Sequence, residues 1–131
     1  FMPEYVGNKI ADALNEQRKP INGSRILILG VAYKPNVSDV RESPALDIIH
    51  LLRERGGEVS YDDPFVPTLE HEGIDLHSIN LTETALKTAD CVVIVTNHAQ
   101  YNWEMIARLA PVIVDTRNAL AEIGEANLVT L

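Results

Sequence analysis

The sequence predicts an α/β domain of three layers, a mostly parallel sheet with helices on both faces, preceded by an N-terminal helix. Three observations predict it. Apolar runs at Arg25-Ile26-Leu27-Ile28-Leu29-Gly30-Val31-Ala32, Cys91-Val92-Val93-Ile94-Val95 and Pro111-Val112-Ile113-Val114-Asp115 read as strands buried on both faces. Helical periodicity lies between them, above all in Ala45, Ile48, Ile49 and Leu52. Strands that alternate with helices need crossover connections, hence parallel pairing. Polar loops near residues 33–42, 96–101 and 115–118 each follow a strand, so parallel pairing puts all three on one edge. Ligands of open α/β sheets bind at that edge.

Residues 3–17 read as the first helix, with Pro3 near its start and Val6, Ile10, Ala13 and Leu14 on one stripe. Gly7, on or near that stripe, allows another backbone to come close. Left uncovered, the stripe would be met by a second copy, so a homo-oligomer is expected. Residues 18–24 form a turn-rich connector into the first strand. After the first polar loop, Ser43 caps a helix and Pro44 takes its first position. Asp47 lies near the positive end of the dipole, Arg53 and Arg55 fill the last turn, and Gly56-Gly57 stop it. Glu58-Val59-Ser60-Tyr61-Asp62 alternates as a second strand, broken by Asp63-Pro64. Residues 64–80 read as an irregular surface excursion. Asn80-Leu81-Thr82-Glu83 has the form of a capping box, with Asn80 as the cap of a short helix reaching Ala89. Asn102 caps a helix holding Trp103, Ile106, Ala107 and Leu109, onto which Tyr101 and Trp103 pack. Leu128-Val129-Thr130-Leu131 adds a last edge strand.

At 131 residues the chain is one domain of ordinary size, and 46% hydrophobic residues exclude a disordered polymer. No run approaches the roughly 20 apolar residues that span a bilayer, and no signal-peptide pattern is visible. The net charge of −8 argues against nucleic acid or an anionic membrane surface as partner. The single cysteine, Cys91, cannot form an internal disulfide, which fits a cytoplasmic location. It opens an apolar strand and reads as a buried structural thiol.

Chemistry concentrates in the strand-end loops. Lys34 and Arg41, close to a helix N-terminus, form a candidate anion site, Lys as a point charge and Arg as a fork. Asp39 and Asp115 read as orienting partners for these cations rather than general bases. His50, His71, His77 and His98 lack metal-ligand spacing, so no metal site is expected. His50 faces out of its helix stripe; His98 is the one histidine in a strand-end loop. A GxGxxG fingerprint is absent, and Pro35 falls where a phosphate-binding turn would need backbone donors. NAD should not be held here in the usual way.

Gly30-Val31-Ala32-Tyr33-Lys34-Pro35, then Asp39, then Arg41-Glu42-Ser43-Pro44-Ala45, resembles the C-terminal domain of the UDP-glucose/GDP-mannose dehydrogenase family. Tyr61-Asp62-Asp63-Pro64 and Val114-Asp115-Thr116-Arg117 are similar to further signatures of that family. The resemblance implies a Rossmann-like domain at residues 23–131 that binds a UDP-sugar, with residues 1–22 as an inter-domain helix and linker. It implies that Tyr33 and Lys34 contact the UDP moiety and that Arg117 contacts the substrate. Arg41 would reach towards NAD, which is held mainly by a separate N-terminal domain. It further implies a complete enzyme that oxidises C6 of a UDP-sugar to the carboxylate in two NAD-dependent hydride transfers, through a cysteine thioester. No residue here matches that cysteine, so no catalytic residue is assigned, and a fragment that binds but does not catalyse is expected. The wording around Tyr33-Lys34 and Asp115-Thr116-Arg117-Asn118-Ala119 resembles the N-acetylhexosamine branch more than the UDP-glucose branch. The alternative from another class is a free-standing, non-catalytic nucleotide-binding regulatory module.

Overall fold

A computed structural model describes residues 3–36, 38–41, 43–71, 73–117, 119–120 and 128–130. Glu42, Asn118 and Leu131, named above, lie outside the described residues. Five parallel strands form one sheet in the order β2-β1-β5-β6-β7: β1 (Arg25–Leu29), β2 (Glu58–Asp62), β5 (Cys91–Ile94), β6 (Ile113–Asp115) and β7 (Leu128–Thr130). The helices are α1 (Pro3–Glu16), α2 (Pro44–Glu54), α3 (Glu83–Thr88) and α4 (Trp103–Leu109). The expected mostly parallel α/β architecture, led by a helix, is what the chain adopts.

Alternation along each central strand divides the core into two layers. Ile26 and Ile28 of β1, Cys91 and Val93 of β5 and Val114 of β6 point to the face covered by α1 and α2. Leu27 and Leu29, Val92 and Ile94, and Ile113 point to the opposite face, under α3 and α4. The α1 stripe of Val6, Ile10, Ala13 and Leu14 is buried within the first layer. The expectation that this stripe would be left for a second copy is therefore corrected: the chain's own sheet and α2 cover it. Gly7 meets a side chain rather than a backbone, since a Cβ there would lie 2.5 Å from Cδ2 of Leu51 on α2.

Capping decides the helix boundaries. The Ser43 hydroxyl accepts from the Ala45 N–H at 3.2 Å, with Pro44 first in the helix. Asn102 accepts from the Met105 N–H at 3.2 Å, as expected. The cap of α3 is Thr82, which accepts from the Ala85 N–H at 3.1 Å; the expectation of Asn80 is corrected. Asn80 and Thr82 both suit the role by type, but only the hydroxyl at Thr82 faces the free N–H groups of the first turn.

The stretch 64–80 is more regular than expected. It contains an antiparallel hairpin of β3 (Thr68–His71) and β4 (Ile74–His77), and Val66, Leu69 and Ile74 are buried in the first core layer. Strand β1 is shorter than its apolar run. The chain leaves the sheet at Gly30 (φ +85°), and the Val31 and Ala32 N–H groups donate to the Asp63 carboxylate instead of a neighbouring strand.

Cys91 is fully buried at the head of β5, and burial, with Asp90 adding to it, pushes its thiol up to about 12. The thiolate is the reactive form. The folded chain is thus expected to resist iodoacetamide at mildly alkaline pH and to react fully in urea. Rapid alkylation of the folded chain would contradict this burial.

Candidate nucleotide-binding edge

From β1 the chain moves outward to β2, then returns across β1 to β5. The carboxyl ends of β1 and β5 therefore flank the point where the strand order reverses, the usual ligand crevice of an open α/β sheet. The loop after β1 carries Tyr33, Lys34 and Asn36; the loop after β5 carries Thr96 and His98; Thr116 and Arg117 follow β6.

The crevice floor is closed by the protein's own groups. A Cβ on Gly30 would lie 2.4 Å from the Thr96 Cβ and 2.5 Å from the Thr96 carbonyl oxygen, so the two strand ends touch. The Thr96 hydroxyl donates to the Ala32 carbonyl at 2.6 Å. Asp63, 1% exposed, sits beneath. Its Oδ2 accepts from the N–H groups of Val31 (2.8 Å) and Ala32 (3.2 Å) and contacts His98 Nε2 at 2.9 Å. Its Oδ1 accepts from the Phe65 N–H at 2.8 Å. A dinucleotide fold offers backbone donors after its first strand to a pyrophosphate. Here two of those donors are already occupied by an internal carboxylate. Those two N–H groups are therefore not free for a pyrophosphate in this conformation.

His98 is buried and bridges Asp63 to the first loop, because its Nδ1 accepts from the Asn36 N–H at 2.7 Å. It is fully buried and does not reach solvent in this conformation. Tyr101 packs beside it, ring centroids 5.9 Å apart, and its hydroxyl donates to the Asp62 carbonyl at 2.6 Å. Burial, with Asp62 and Asp63 nearby, raises the Tyr101 hydroxyl far above the ordinary tyrosine range, so it stays a donor.

Above this floor the cations are exposed. Tyr33 is 42% exposed, and the Lys34 ammonium lies 5.8 Å from its ring centroid. Arg117, also exposed, is aimed from below: its Nε donates to the Val95 carbonyl at 2.7 Å. Asp115 does not pair with the Arg117 guanidinium. Its two oxygens accept from the backbone N–H groups of Arg117 (3.0 Å) and Leu120 (2.9 Å), so it shapes the loop and only thereby places the arginine. Asp39 does grip Arg41, as expected, by Nε–Oδ1 and Nη2–Oδ2 contacts of 3.1 Å each. That guanidinium holds the Asp39 carboxyl below its ordinary range. Lys34 and Arg117 thus stand at the ends of β1 and β6, the two neighbours of β5, while Arg41 stands at the approach to α2. Asn36 and the supporting role of Asp63 were not singled out from sequence. The available signal was Asp62-Asp63-Pro64, an acidic pair at the end of a strand on this same edge.

Residues 27–122 match the sequence profile described as UDP-glucose/GDP-mannose dehydrogenase family, UDP binding domain. The chain is 34% identical over 127 residues to the UDP-N-acetyl-D-mannosamine dehydrogenase of Methanococcus vannielii, covering 91% of this chain and 28% of that protein. It is 36% identical over 128 residues to the UDP-glucose 6-dehydrogenase of Rickettsia prowazekii, covering 90% of this chain and 28% of that protein. Among solved structures, the UDP-D-ManNAc dehydrogenase of Pyrococcus horikoshii superposes with a TM-score of 0.77 at 28% identity, over 98% of this chain and 29% of that one. The chain therefore spans a little over a quarter of the length of these relatives. Both branches occur at similar identity, so identity does not select the sugar.

Proposed function

The chain belongs to the UDP-glucose/GDP-mannose dehydrogenase family, as its UDP binding domain, and from that membership we propose that it holds the nucleotide end of a UDP-sugar on its carboxyl edge. The observation that carries this reading is the pair of exposed cations, Lys34 and Arg117, in the loops that follow the two strands flanking β5. Lys34 and Arg117 give charge-assisted bonds to the diphosphate, and Tyr33 supplies apolar contact to the uridine. Arg41, presented by Asp39, faces the cofactor side. In the proposed whole enzyme, C6 of the sugar is oxidised to the carboxylate, and NAD, bound to another domain, supplies the hydride acceptor. This chain's share is binding and orientation; alone it binds UDP weakly, on the order of millimolar, and does not catalyse.

Under the same reading, residues 1–22 form the inter-domain helix and linker and residues 23–131 the nucleotide-sugar domain. Since the apolar stripe of α1 is buried at home, its outer side is what meets another domain; Tyr5 there is 47% exposed. An N-acetylhexosamine as the sugar and a cytoplasmic setting belong to this proposal too. Assembly into a homo-oligomer would use some surface other than the α1 stripe.

Replacing Lys34 or Arg117 by Ala is expected to cost roughly 1.5–3 kcal/mol each, about ten- to a hundredfold in UDP affinity. Calorimetric titration of both variants checks this. Wild-type affinity in both would put the nucleotide elsewhere.

A further inference from the structure

We infer that His98 is a positioning residue for nucleotide binding: it fixes the Tyr33–Lys34 loop through a single hydrogen bond from the Asn36 backbone. The inference rests on the proposed nucleotide site and adds the device that shapes it. Tyr33, Lys34 and Pro35 form a short exposed arc between two anchored points. At one end, the Ala32 N–H is held by Asp63 and the Ala32 carbonyl by the Thr96 hydroxyl. At the other, Asn36 adopts a left-handed backbone (φ 63°), and its N–H points down to His98 Nδ1 at 2.7 Å. The Asn36 side-chain oxygen also accepts from the Ala99 N–H at 2.9 Å. Within the arc, the Tyr33 N–H donates to the Asp39 carbonyl at 2.6 Å.

These bonds fix the chemistry of the imidazole. A backbone N–H can only donate, so Nδ1 must be a bare acceptor, and the ring proton sits on Nε2. That proton is donated to Asp63 Oδ2, 2.9 Å away. Asp63, itself fixed by three backbone donors, thereby sets the tautomer, and the tautomer supplies the acceptor for Asn36. The Phe65 ring, 4.8 Å between centroids, and Tyr101 hold the imidazole from its sides. Asn tolerates the left-handed region better than most other non-glycine residues, and these bonds select that conformation from those open to it. Without the acceptor, Asn36 can relax and the Lys34 ammonium loses its fixed origin.

Two substitutions divide the ring between its nitrogens. An Asn side chain places its oxygen near Nδ1, so His98→Asn keeps the acceptor for Asn36 and gives up the link to Asp63. A Gln side chain places its amide near Nε2, so His98→Gln keeps the link to Asp63 and gives up the acceptor. UDP titration should find His98→Asn within about twofold of wild type and His98→Gln about three- to tenfold weaker, with faster amide exchange at Asn36. In the wild type, long-range nitrogen–proton NMR of the ring should show the Nε2–H tautomer and a protected Asn36 amide. That measurement stands even if a variant fails to fold. An Nδ1–H tautomer overturns the inference, as does His98→Gln binding UDP like wild type with a protected Asn36 amide. Lys34→Ala separates the two readings: if it loses affinity while His98→Gln does not, the site stands and the positioning role falls. If Lys34→Ala binds normally, the site itself is misplaced and both fall.

Discussion

Asp63→Ala is expected to destabilise the folded chain by about 3–5 kcal/mol, the range for leaving several buried polar partners unmet. The substitution strands the N–H groups of Val31, Ala32 and Phe65 together with the His98 ring, all of which now converge on one carboxylate. Among the described residues the Asp63 carboxylate is their acceptor, and Asp63 is 1% exposed, so water reaches them only if the loops open. Asp63→Asn keeps the shape and half of the acceptor capacity, and should fall between the two. Urea unfolding followed by circular dichroism gives the difference directly. An Asp63→Ala midpoint equal to wild type would mean that the β1 and β2 ends are held by something other than this carboxylate.

Gly30→Ala should cost about 2–4 kcal/mol, through backbone strain at a left-handed φ and overpacking of a closed contact. The φ of +85° penalises any side chain, and the added methyl would meet the Thr96 backbone, which cannot swing aside as a flexible side chain could. Relief requires β1 and β5 to part at their carboxyl ends, which is where the proposed nucleotide sits. Loss of UDP affinity should therefore accompany loss of stability. Gly23→Ala is the control: its φ is also positive, at +82°, but a methyl there meets nothing. A Gly30→Ala melting temperature no lower than that of Gly23→Ala would contradict the tight contact.

The sequence made the sheet legible where strands are buried on both faces, because an apolar run such as Cys91–Val95 leaves few alternatives. Helix α2 was equally plain, since its cap, first proline, stripe and terminal glycines all agree. The β3–β4 hairpin was not legible: Thr68-Leu69-Glu70-His71 offers a single large apolar residue, and its burial depends on a core contributed by distant elements. Thr82 and Asn80 could not be ranked by type, because the choice between them is geometric. Of the exposed residues of the candidate edge, Lys34 and Arg41 stood out as cations in a strand-end loop, while Tyr33 and Arg117 were marked by the family resemblance. Their supports did not. Asp63 and His98 lie 35 positions apart, and the sheet order, with β2 and β5 on either side of β1, brings the loops that follow those two strands together.

The carboxyl edge between β1 and β6 is the proposed seat of a uridine nucleotide. Titrating UDP into isotopically labelled chain, with NMR shifts followed residue by residue, tests it most directly. The expected result is weak, saturable shifts at Tyr33, Lys34, Asn36, Ala99 and Arg117, none at Arg25 or Glu58 on the opposite edge, and no comparable response to NAD. Shifts confined to the opposite edge, or NAD binding tighter than UDP, would place the nucleotide elsewhere.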